Sequence, residues 1–450
     1  MISMSRYTAQ PDKAPRRGLA SLRGYDRNIY IMLAFTLGKG LQLSIAAITI
    51  NLYARSLGYD RTFIGVLTAV PAIGALIASV PTGILADRIG RKPLLLIGGL
   101  LNPLALLMLG LSTTPQWLLF SALLNGICAN AYWVANLPIL TESSRPDQRV
   151  FVLAANNFLL LGVGALGSLI GGAVPELVGR QLAVPADSTV PLRWGVLIAS
   201  LVTFIPAIPL FWLREPRHRP QPAALENPAT STIVEANPTD EPVDPVGRRA
   251  LVTLFAKLLI PDALYTTGEA AAIALLALYF VQRFEITPGP LGVYLTVAGL
   301  IGGAMSFLAP RMARRWGKLR TATTSQILTV PVVLVMGLSP VFALAYAAEL
   351  GRNVLRGFFE PTYAAFAMEQ VSSRYRATLS GFYSVTWSLG FSFGAVLTGW
   401  LQDHVNLSAA FLVAAVFIGA SAMLLRLFFP RSRPAKPSTA PQPAEAPARP

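Results

Sequence analysis

The sequence predicts an all-α, polytopic membrane protein with twelve transmembrane helices in two pseudo-symmetric six-helix bundles. The apolar composition, the number of apolar segments and an internal repeat predict this fold class. Of the 450 residues, 53% are hydrophobic and 13% are charged, and the mean hydropathy is +0.53. Soluble domains carry about 25% charged residues. A soluble enzyme and a protein with one membrane anchor are therefore excluded.

Twelve apolar segments are each long enough to cross a bilayer, which takes about 20 residues. They form two groups of six, and the segment between the groups is rich in proline and carboxylates and has no periodicity, which indicates a linker. The predicted spans are 29–54, 63–86, 93–112, 116–140, 150–174, 194–213, 249–281, 290–309, 320–338, 340–369, 376–400 and 407–429. The predicted organisation is a cytoplasmic tail (1–28), an N-terminal bundle (29–213), a cytoplasmic linker (214–248), a C-terminal bundle (249–429) and a disordered tail (430–450).

Positive charge falls on one side of this predicted membrane protein. The terminal segments, the linker and loops 2–3, 4–5, 8–9 and 10–11 hold 28 of the 37 Lys and Arg residues, whereas the opposite loops hold five. Because cytoplasmic loops are enriched in Lys and Arg, we predict a plasma (inner) membrane protein with both termini in the cytoplasm. The net charge of +15 is then a topology signal, and we expect no nucleic-acid partner.

The two halves carry the same motifs at one constant spacing along the chain. The segment 83–92 between spans 2 and 3 reads G-x-x-x-D-R-x-G-R-K, and a weaker copy occupies 310–319 between spans 8 and 9. The same spacing, 227 residues, relates Glu142 to Glu369 at the ends of spans 4 and 10, and we call it the repeat spacing. One register across separated motifs indicates an internal duplication.

The segment 83–92 closely resembles the loop motif of the major facilitator superfamily, and the repeat and linker resemble that family's two-half organisation. The resemblance implies that Asp87 faces the N-terminus of helix 11, where the helix dipole favours a carboxylate. It also implies that Arg91 pairs with an acid at the end of helix 4, for which Glu142 is the candidate. The alternative is a cytoplasmic basic cluster with one stray acid. The predicted gating residues are Gly83, Asp87, Arg88, Gly90, Arg91, Lys92 and Glu142.

Two features limit what the resemblance implies. Arg314 stands at the position of Asp87 in the second copy, so a mirror-image clamp is in doubt. Span 5 has a glycine-rich stretch similar to the antiporter motif of drug exporters, but Ser168 stands where that motif has proline. Ordinary packing of small residues between membrane helices explains the stretch equally well.

Ionisable residues inside the spans concentrate on a few helices. Besides Glu369 at its end, span 10 carries four charged residues at intervals of three, four and four, which places them in one stripe. Each unpaired charge costs about 2.5–3.5 kcal/mol at the bilayer centre, so these side chains must face water or one another. The resemblance implies a central cavity lined by helices 1, 4, 7 and 10, and these four helices hold the polar stripes. The predicted cavity residues are Lys39, Gln42, Asn125, Tyr132, Asn136, Tyr265, Glu349, Arg352, Arg356 and Glu360.

The same charges have a structural alternative, in which they form ion pairs that lock helices together. This alternative applies to the pairs within span 10, and to Lys39 with Asp262 or Glu269 across the halves. Proton coupling requires a carboxylate that alternates between a protonated and a paired state. We predict Glu269 as this residue, with Asp262 second, since both histidines lie outside the spans.

These features together predict a secondary transporter of the major facilitator type, similar to its drug and metabolite exporters. We expect alternating access, proton-coupled efflux of a small molecule and action as a monomer in the lipid bilayer. The alternatives are a proton-coupled importer of a polar or anionic solute, and a non-transporting scaffold or sensor on the same fold. With two histidines, one cysteine and no Walker-type loop, we expect no metal site, no cofactor and no enzymatic activity.

Overall fold

The computed structural model describes residues 25–145, 148–214 and 248–430, and within these ranges the chain is helical and has no strand. Ten helices of the described part are long and apolar enough to cross a membrane. The helices at predicted spans 10 and 11 are not among them, and the first of these carries five charged residues, including Glu369 at its end. The count of twelve crossings therefore stays a prediction. We number the helices α1 to α12 by the predicted span that each one matches.

The N-terminal half consists of α1 to α6. Side chains define the start of the first two helices, because Asp26 accepts a hydrogen bond from the backbone N–H of Asn28, and Asp60 accepts one from Phe63, both at 2.7 Å. The bounds are α1 Arg27–Ser56, α2 Arg61–Ile89, α3 Arg91–Leu111, α4 Pro115–Ser143, α5 Arg149–Asn157 continuing as a π turn Phe158–Gly162, a 3-10 turn Val163–Ala165 and Leu166–Leu182, and α6 Thr189–Ala207 with a 3-10 turn Ile208–Trp212.

The C-terminal half consists of α7 to α12, and two of its helices have a second segment. The bounds are α7a Arg248–Ile273, α7b Leu276–Phe284, α8a Pro288–Ser306, α8b Ala309–Trp316, α9 Lys318–Leu338, α10 Phe342–Glu369, α11 Ser373–His404 and α12 Ala409–Phe428. The break in α7 leaves carbonyl groups that other helices satisfy. Asn51 of α1 donates to the Ala274 carbonyl at 2.8 Å, and Thr398 of α11 donates to that of Ala271 at 3.1 Å.

Most predicted spans match these helices within a few residues, but α5 continues to Leu182, well beyond its predicted end at 174, and the motif and its copy give two further differences. The 83–92 motif was expected in a loop, but α2 continues through it to Ile89, so Gly90 alone separates α2 from α3. Its second copy is likewise helical, and Gly317 alone separates α8b from α9. Both linking glycines have positive φ angles, 91° and 86°, which only glycine adopts without strain. The segments 1–24, 215–247 and 431–450, which contain most of the predicted tails and linker, lie outside the described residues.

Helix packing repeats between the halves. In the N-terminal half α1 packs on α5 and α6, α3 packs on α4 and α6, and α2 packs on α4. In the C-terminal half α7 packs on α11 and α12, α9 packs on α10 and α12, and α8 packs on α10. Each pair in one half thus has its equivalent six helices later. The internal duplication predicted from the repeat spacing is visible in this packing.

The ends of the helices define two sides of the molecule. The Asn28 side chain at the start of α1 hydrogen-bonds to Ser143 at the end of α4 and to the backbone of Arg214, just after the 3-10 turn of α6. These three ends therefore meet at one surface. The end of α12 lies beside the end of α10, where Phe429 contacts Phe366 edge-on at 5.2 Å. We call this surface, which also carries the 83–92 motif, the motif side. The opposite surface is the distal side.

The halves touch at the distal side and separate toward the motif side. Near the distal ends of α2 and α11, a side chain on Gly65 or Gly399 would collide with the backbone of the other helix. Near the motif-side ends of the same helices, a Cβ on Gly83 or Gly381 would meet no atom within 4 Å. α2 and α11 therefore diverge, and the cleft between the halves opens on the motif side.

Candidate functional site

A cluster of five charged side chains joins α7 to α10 in the interior of the C-terminal half. We define the charge cluster as Glu269, Glu349, Arg352, Arg356 and Glu360. Arg352 is at its centre, because its Nε and Nη2 atoms donate to the two carboxylate oxygens of Glu349, each at 2.7 Å. Its Nη1 atom donates to Glu269 on the neighbouring helix. This fork geometry explains why arginine, rather than lysine, holds two carboxylates at once.

Exposure within the charge cluster rises toward the motif side. The side chains of Glu349 and Arg352 are 3% and 4% exposed, whereas Arg356 and Glu360, one and two turns later on α10, are 35% and 48% exposed. Arg356 Nε lies 2.8 Å from Glu360 and 3.7 Å from Glu269. The α10 stripe predicted from its residue spacing therefore runs from the interior into the open cleft.

The charge cluster has one excess negative charge, since three carboxylates face two guanidinium groups. It also has an unused acceptor. The Oε2 atom of Glu269 is buried and has no hydrogen-bond partner among the described residues. Buried polar atoms are normally satisfied, so this oxygen marks a position for a proton or for a donor group of a ligand. Glu269 is thus held by Arg352 through one oxygen and is available through the other.

Asp262 lies two turns from Glu269 on α7a, closer to the motif side. Its Oδ2 atom accepts a hydrogen bond of 2.8 Å from the hydroxyl of Thr386 on α11. Beside it lies a row of aromatic rings. The ring centroids of Tyr265 and Phe359 are 4.0 Å apart, and those of the stacked pair Phe359 and Tyr363 are 5.3 Å apart. The second predicted coupling residue is therefore bound to a neutral hydroxyl and next to aromatic surface.

Lys39 is directed into the N-terminal bundle and does not pair with either carboxylate of α7. Its Nζ atom donates to Gln42 Oε1 at 2.7 Å and to Asn102 Oδ1 of α3 at 2.9 Å. The side chain is 2% exposed. The Lys39–Asp262 or Lys39–Glu269 pair considered from sequence is absent from the described residues, because the ammonium points toward α3. Asn102, a polar residue in an otherwise apolar span, was the signal that sequence reasoning missed.

The predicted polar residues of α4 form contacts inside the same half. Tyr132 donates to Thr36 at 3.1 Å, and Thr36 donates to Asn156 of α5 at 2.7 Å. Asn136 donates to Tyr132 and to Asn156, both at 3.1 Å. This buried network ties α1, α4 and α5 together. Asn125 lies apart from it, and its Nδ2 atom has no hydrogen-bond partner among the described residues.

The gating motif makes an ion pair in each half. Arg91 contacts Glu142, as expected, and Lys318 contacts Glu369 at the equivalent positions of the second half. The second copy therefore retains the α3–α4 type of contact even though Arg314 replaces the aspartate. The side chain of Asp87 lies outside the described residues, and Arg88 is exposed. The proposed contact of Asp87 with the start of α11, and the gating role of the set, stay predictions.

The glycine-rich stretch of α5 packs closely against two helices. Side chains on Gly164 and Gly167 would collide with the backbone of α1 at Gly40 and Leu41, and one on Gly172 would collide with the Pro288 carbonyl of α8. These contacts agree with the packing interpretation of the stretch. The same helix contains the π and 3-10 turns at 158–165, so Gly162 and Gly164 lie where the helix is least regular, whereas the later glycines lie in its regular segment Leu166–Leu182.

Comparison with known proteins connects this architecture to a family. The family model described as Major Facilitator Superfamily matches residues 31–350 and 263–450. The curated protein named Multidrug resistance protein 1, from Bacillus subtilis (strain 168), is 24% identical over 399 residues, which are 86% of this chain and 92% of that protein.

Solved structures show the same fold. A bacterial homologue of the human lysosomal transporter Spinster, in an inward-facing and occupied conformation, superposes with a TM-score of 0.71 at 16% identity and covers 88% of this chain and 96% of its own. A D-xylose–proton symporter gives a TM-score of 0.68 at 16% identity, with 89% and 97% coverage. At this identity the likeness concerns the fold alone.

Proposed function

Because the chain belongs to the major facilitator superfamily, we propose that this membrane transporter exports small drug-like or metabolic compounds in exchange for protons. The observation that supports this most directly is the charge cluster, which is negative by one charge and has an unpaired oxygen on Glu269. A site of this kind favours a cationic group or a proton, and the two compete for it. Competition of this sort is what couples efflux of one to entry of the other.

Glu269 is the proposed exchange residue, because its protonation changes the pairing around Arg352. With Glu269 ionised, Arg352 bridges it to Glu349 and links α7 to α10. With Glu269 protonated, the charge that holds α7 is lost, while the bidentate contact within α10 remains. Asp262 is the second candidate, and its neutral partner Thr386 accommodates either charge state. Both residues belong to the half that carries the charge cluster.

The conformation supports a direction of loading. The cleft opens on the motif side, where the positive loops of the sequence lie, and we propose that this side faces the cytoplasm. We also propose that the protein lies in the plasma (inner) membrane with both termini in the cytoplasm. A cytoplasmic compound then reaches Glu360, Arg356 and Glu269 through the open cleft. Similarity to a protein named for multidrug resistance favours export.

The runner-up is a proton-coupled importer of a polar or anionic solute. Its support is the pair Arg352 and Arg356, together with the fold shared with a D-xylose–proton symporter. Both guanidinium groups already contact carboxylates, so an anion must displace one of these partners. A non-transporting scaffold is less well supported, since the charge cluster is accessible through an open cleft.

Transport in proteoliposomes with an imposed pH gradient tests the proposal. We expect cationic dyes to dissipate the gradient, while sugars and organic anions do not. The variants Glu269→Gln and Asp262→Asn separate the two coupling candidates, and Asp187→Asn, an exposed carboxylate of the α5–α6 loop, is the matched control. Gradient collapse by anions or sugars alone supports the importer. Unchanged pH-dependent transport in both Glu269→Gln and Asp262→Asn contradicts the coupling role, and a folded protein that moves no compound contradicts transport by this site.

A further inference from the structure

The distal ends of the two halves meet along two seams, α2–α11 and α5–α8, which follow one plan. At the α2–α11 seam, the backbone N–H and hydroxyl of Thr62 donate to Asp403 at 2.6 and 2.8 Å. At the α5–α8 seam, the backbone N–H of Gly289 donates to Glu176 at 3.3 Å. The repeat spacing relates Thr62 to Gly289, and it also relates Glu176 to Asp403. In each seam, a carboxylate near the end of one helix caps the first turn of a helix in the other half.

Close backbone contacts repeat at the same spacing. A side chain on Gly65 would collide with the Ala395 carbonyl, and one on Gly292 would collide with the carbonyl of Ser168, the equivalent of Ala395. Gly399 and Gly172 lie equally close to the first residues of α2 and α8. The two seams are therefore equivalent in backbone geometry, and both exclude any side chain larger than hydrogen at these four positions.

Deeper along each seam a hydroxyl bridges the two halves. Thr296 of α8 donates to the Ala165 carbonyl at 3.0 Å, and Ser392 of α11 donates to the Ala69 carbonyl at 3.2 Å. The repeat spacing again relates position 69 to 296 and position 165 to 392. The hydroxyl comes from α8 in one seam and from α11 in the other, so the contact is retained although the donor has changed sides.

The seams differ at their outer ends. Arg61 of α2 pairs with Asp403 at 3.2 Å and donates to Gln282 of α7b at 2.8 Å. The equivalent residue of α8 is Pro288, which has neither a charge nor a backbone N–H. Asp403 therefore accepts three hydrogen bonds across its seam, whereas Glu176 accepts a single, longer one.

We propose that Asp403 and Glu176 are latches of unequal strength that hold the distal side closed, and that this side opens first along the α5–α8 seam. A carboxylate at a helix N-terminus shifts an equilibrium by about 2- to 30-fold, with the upper values for partly buried contacts with good geometry. The three-bond latch of Asp403 belongs at the upper end and the single bond of Glu176 at the lower. The compound then leaves on the α5–α8 side while α2 and α11 act as the hinge.

Distances across each seam test this proposal. In a Cys128→Ala background, spin labels at Arg55→Cys and Val405→Cys report on the α2–α11 side, and labels at Arg180→Cys and Glu285→Cys report on the α5–α8 side. All four positions are exposed at distal loops or helix ends. The distance distributions are measured by pulsed electron paramagnetic resonance in nanodiscs. The proposal rests on transport by alternating access, but these distances are read without any transport, so its failure is distinguishable from failure of the proposed efflux.

We expect a larger open population across the α5–α8 pair than across the α2–α11 pair. Asp403→Asn should increase the open fraction of the α2–α11 pair by about 2- to 30-fold, whereas Glu176→Gln should change the α5–α8 pair less than about twofold. Asp187→Asn, which touches neither seam, should leave both unchanged. Equal open populations at the two seams, a larger open population at α2–α11, or an unchanged distribution in the Glu176→Gln/Asp403→Asn double variant would each overturn the proposal.

Discussion

Replacing Arg352 with methionine tests how the charge cluster is held together. Methionine retains an unbranched, apolar side chain but removes the guanidinium group that binds Glu269 and Glu349. Glu349 then remains buried, at 3% exposure, without a cation, and Glu269, at 9% exposure, keeps only the longer contact with Arg356 at 3.7 Å. We therefore expect a strong loss of stability, because the substitution leaves one buried carboxylate uncompensated and a second one only weakly compensated, rather than merely deleting a contact.

The expected loss is about 3–5 kcal/mol, the usual cost of removing one partner from a buried ion pair. Arg356 provides a matched control on the same helix, one turn later. It is 35% exposed and its partner Glu360 is 48% exposed, and exposed pairs contribute about 0–1 kcal/mol. Its second contact, with Glu269, is longer at 3.7 Å, and Glu269 keeps Arg352 when Arg356 is replaced. Arg356→Met should therefore cost at least about 2 kcal/mol less, a difference of roughly 30-fold or more in the unfolding equilibrium.

Reversible unfolding in mixed micelles, followed by the fluorescence of the seven tryptophans, gives the two free energies. The double variant Glu269→Gln/Arg352→Met supplies the second control, since it removes the carboxylate that Arg356 compensates only weakly. We expect it to recover a substantial part of the loss. Equal effects of Arg352→Met and Arg356→Met would refute the reasoning, as would a double variant that is no more stable than Arg352→Met alone.

Three further predictions follow from the distal contacts and from the N-terminal half. Although burial favours the protonated form, hydrogen bonds from Thr62 and Arg61 outweigh it and hold the pKa of Asp403, which lies beyond the apolar part of α11, below its usual range. The latch is therefore complete above the ordinary carboxyl pKa of about 3.9, and it is lost as pH falls through the lower pKa of the closed state. The open fraction of the α2–α11 label pair should rise below about pH 4 and stay constant from about pH 5 to 8. A rise that persists in Asp403→Asn would contradict this assignment. Gly399→Val should force the distal seam apart and shift the labels to long distances, while Gly381→Val on the same helix, which meets open space, should leave them in place. Lys39→Met should change the KM for substrate by less than about twofold in the liposome assay, because the ammonium points away from the cleft, and a tenfold change would return Lys39 to the substrate site.

Much of the fold is predictable because each span is a local property of the sequence. A run of about 20 apolar residues locates a membrane helix wherever it packs, and for this reason most helix bounds agree within a few residues. The end of α5 was missed because the helix continues past its apolar run to Leu182. The repeat spacing likewise predicts that the packing of one half recurs in the other, while the packing pairs themselves come from the structure. The stripe of α10 was predictable from the helical period, and the structure finds its four charged residues paired within α10 and with Glu269.

Partners across helices were harder to predict, because they depend on the rotation of one helix against another. Lys39 could point toward α7 or toward α3, and the lone Asn102 of an apolar span was the decisive clue. The break of α7 has no proline or glycine at 274–275 to announce it. A one-residue irregularity of the repeat accompanies the break. Tyr53 donates to the Gly110 carbonyl and Tyr279 donates to the equivalent Gly337 carbonyl, although the repeat spacing relates position 53 to position 280 rather than 279.

The distal seams were missed for a different reason. Their contacts are made by backbone carbonyls, by glycines and by two carboxylates that lie outside the predicted apolar spans. A single acid outside the spans is ordinary in a membrane protein and does not indicate a contact. Applying the repeat spacing to Glu176 and Asp403 would have related them, but only the structure shows that each one caps a helix of the other half.

The excess charge of the charge cluster has an electrical consequence. An empty cluster carries one net negative charge, whereas a cluster that has bound one proton or one monovalent cation is neutral. Moving an elementary charge through the whole membrane field changes its free energy by about 2.3 kcal/mol per 100 mV. On the proposed exchange, both loaded states cross without net charge and do not sense the voltage. Clamping the potential with potassium and valinomycin should then leave the exchange rate unchanged, and the pH gradient alone supplies the driving force.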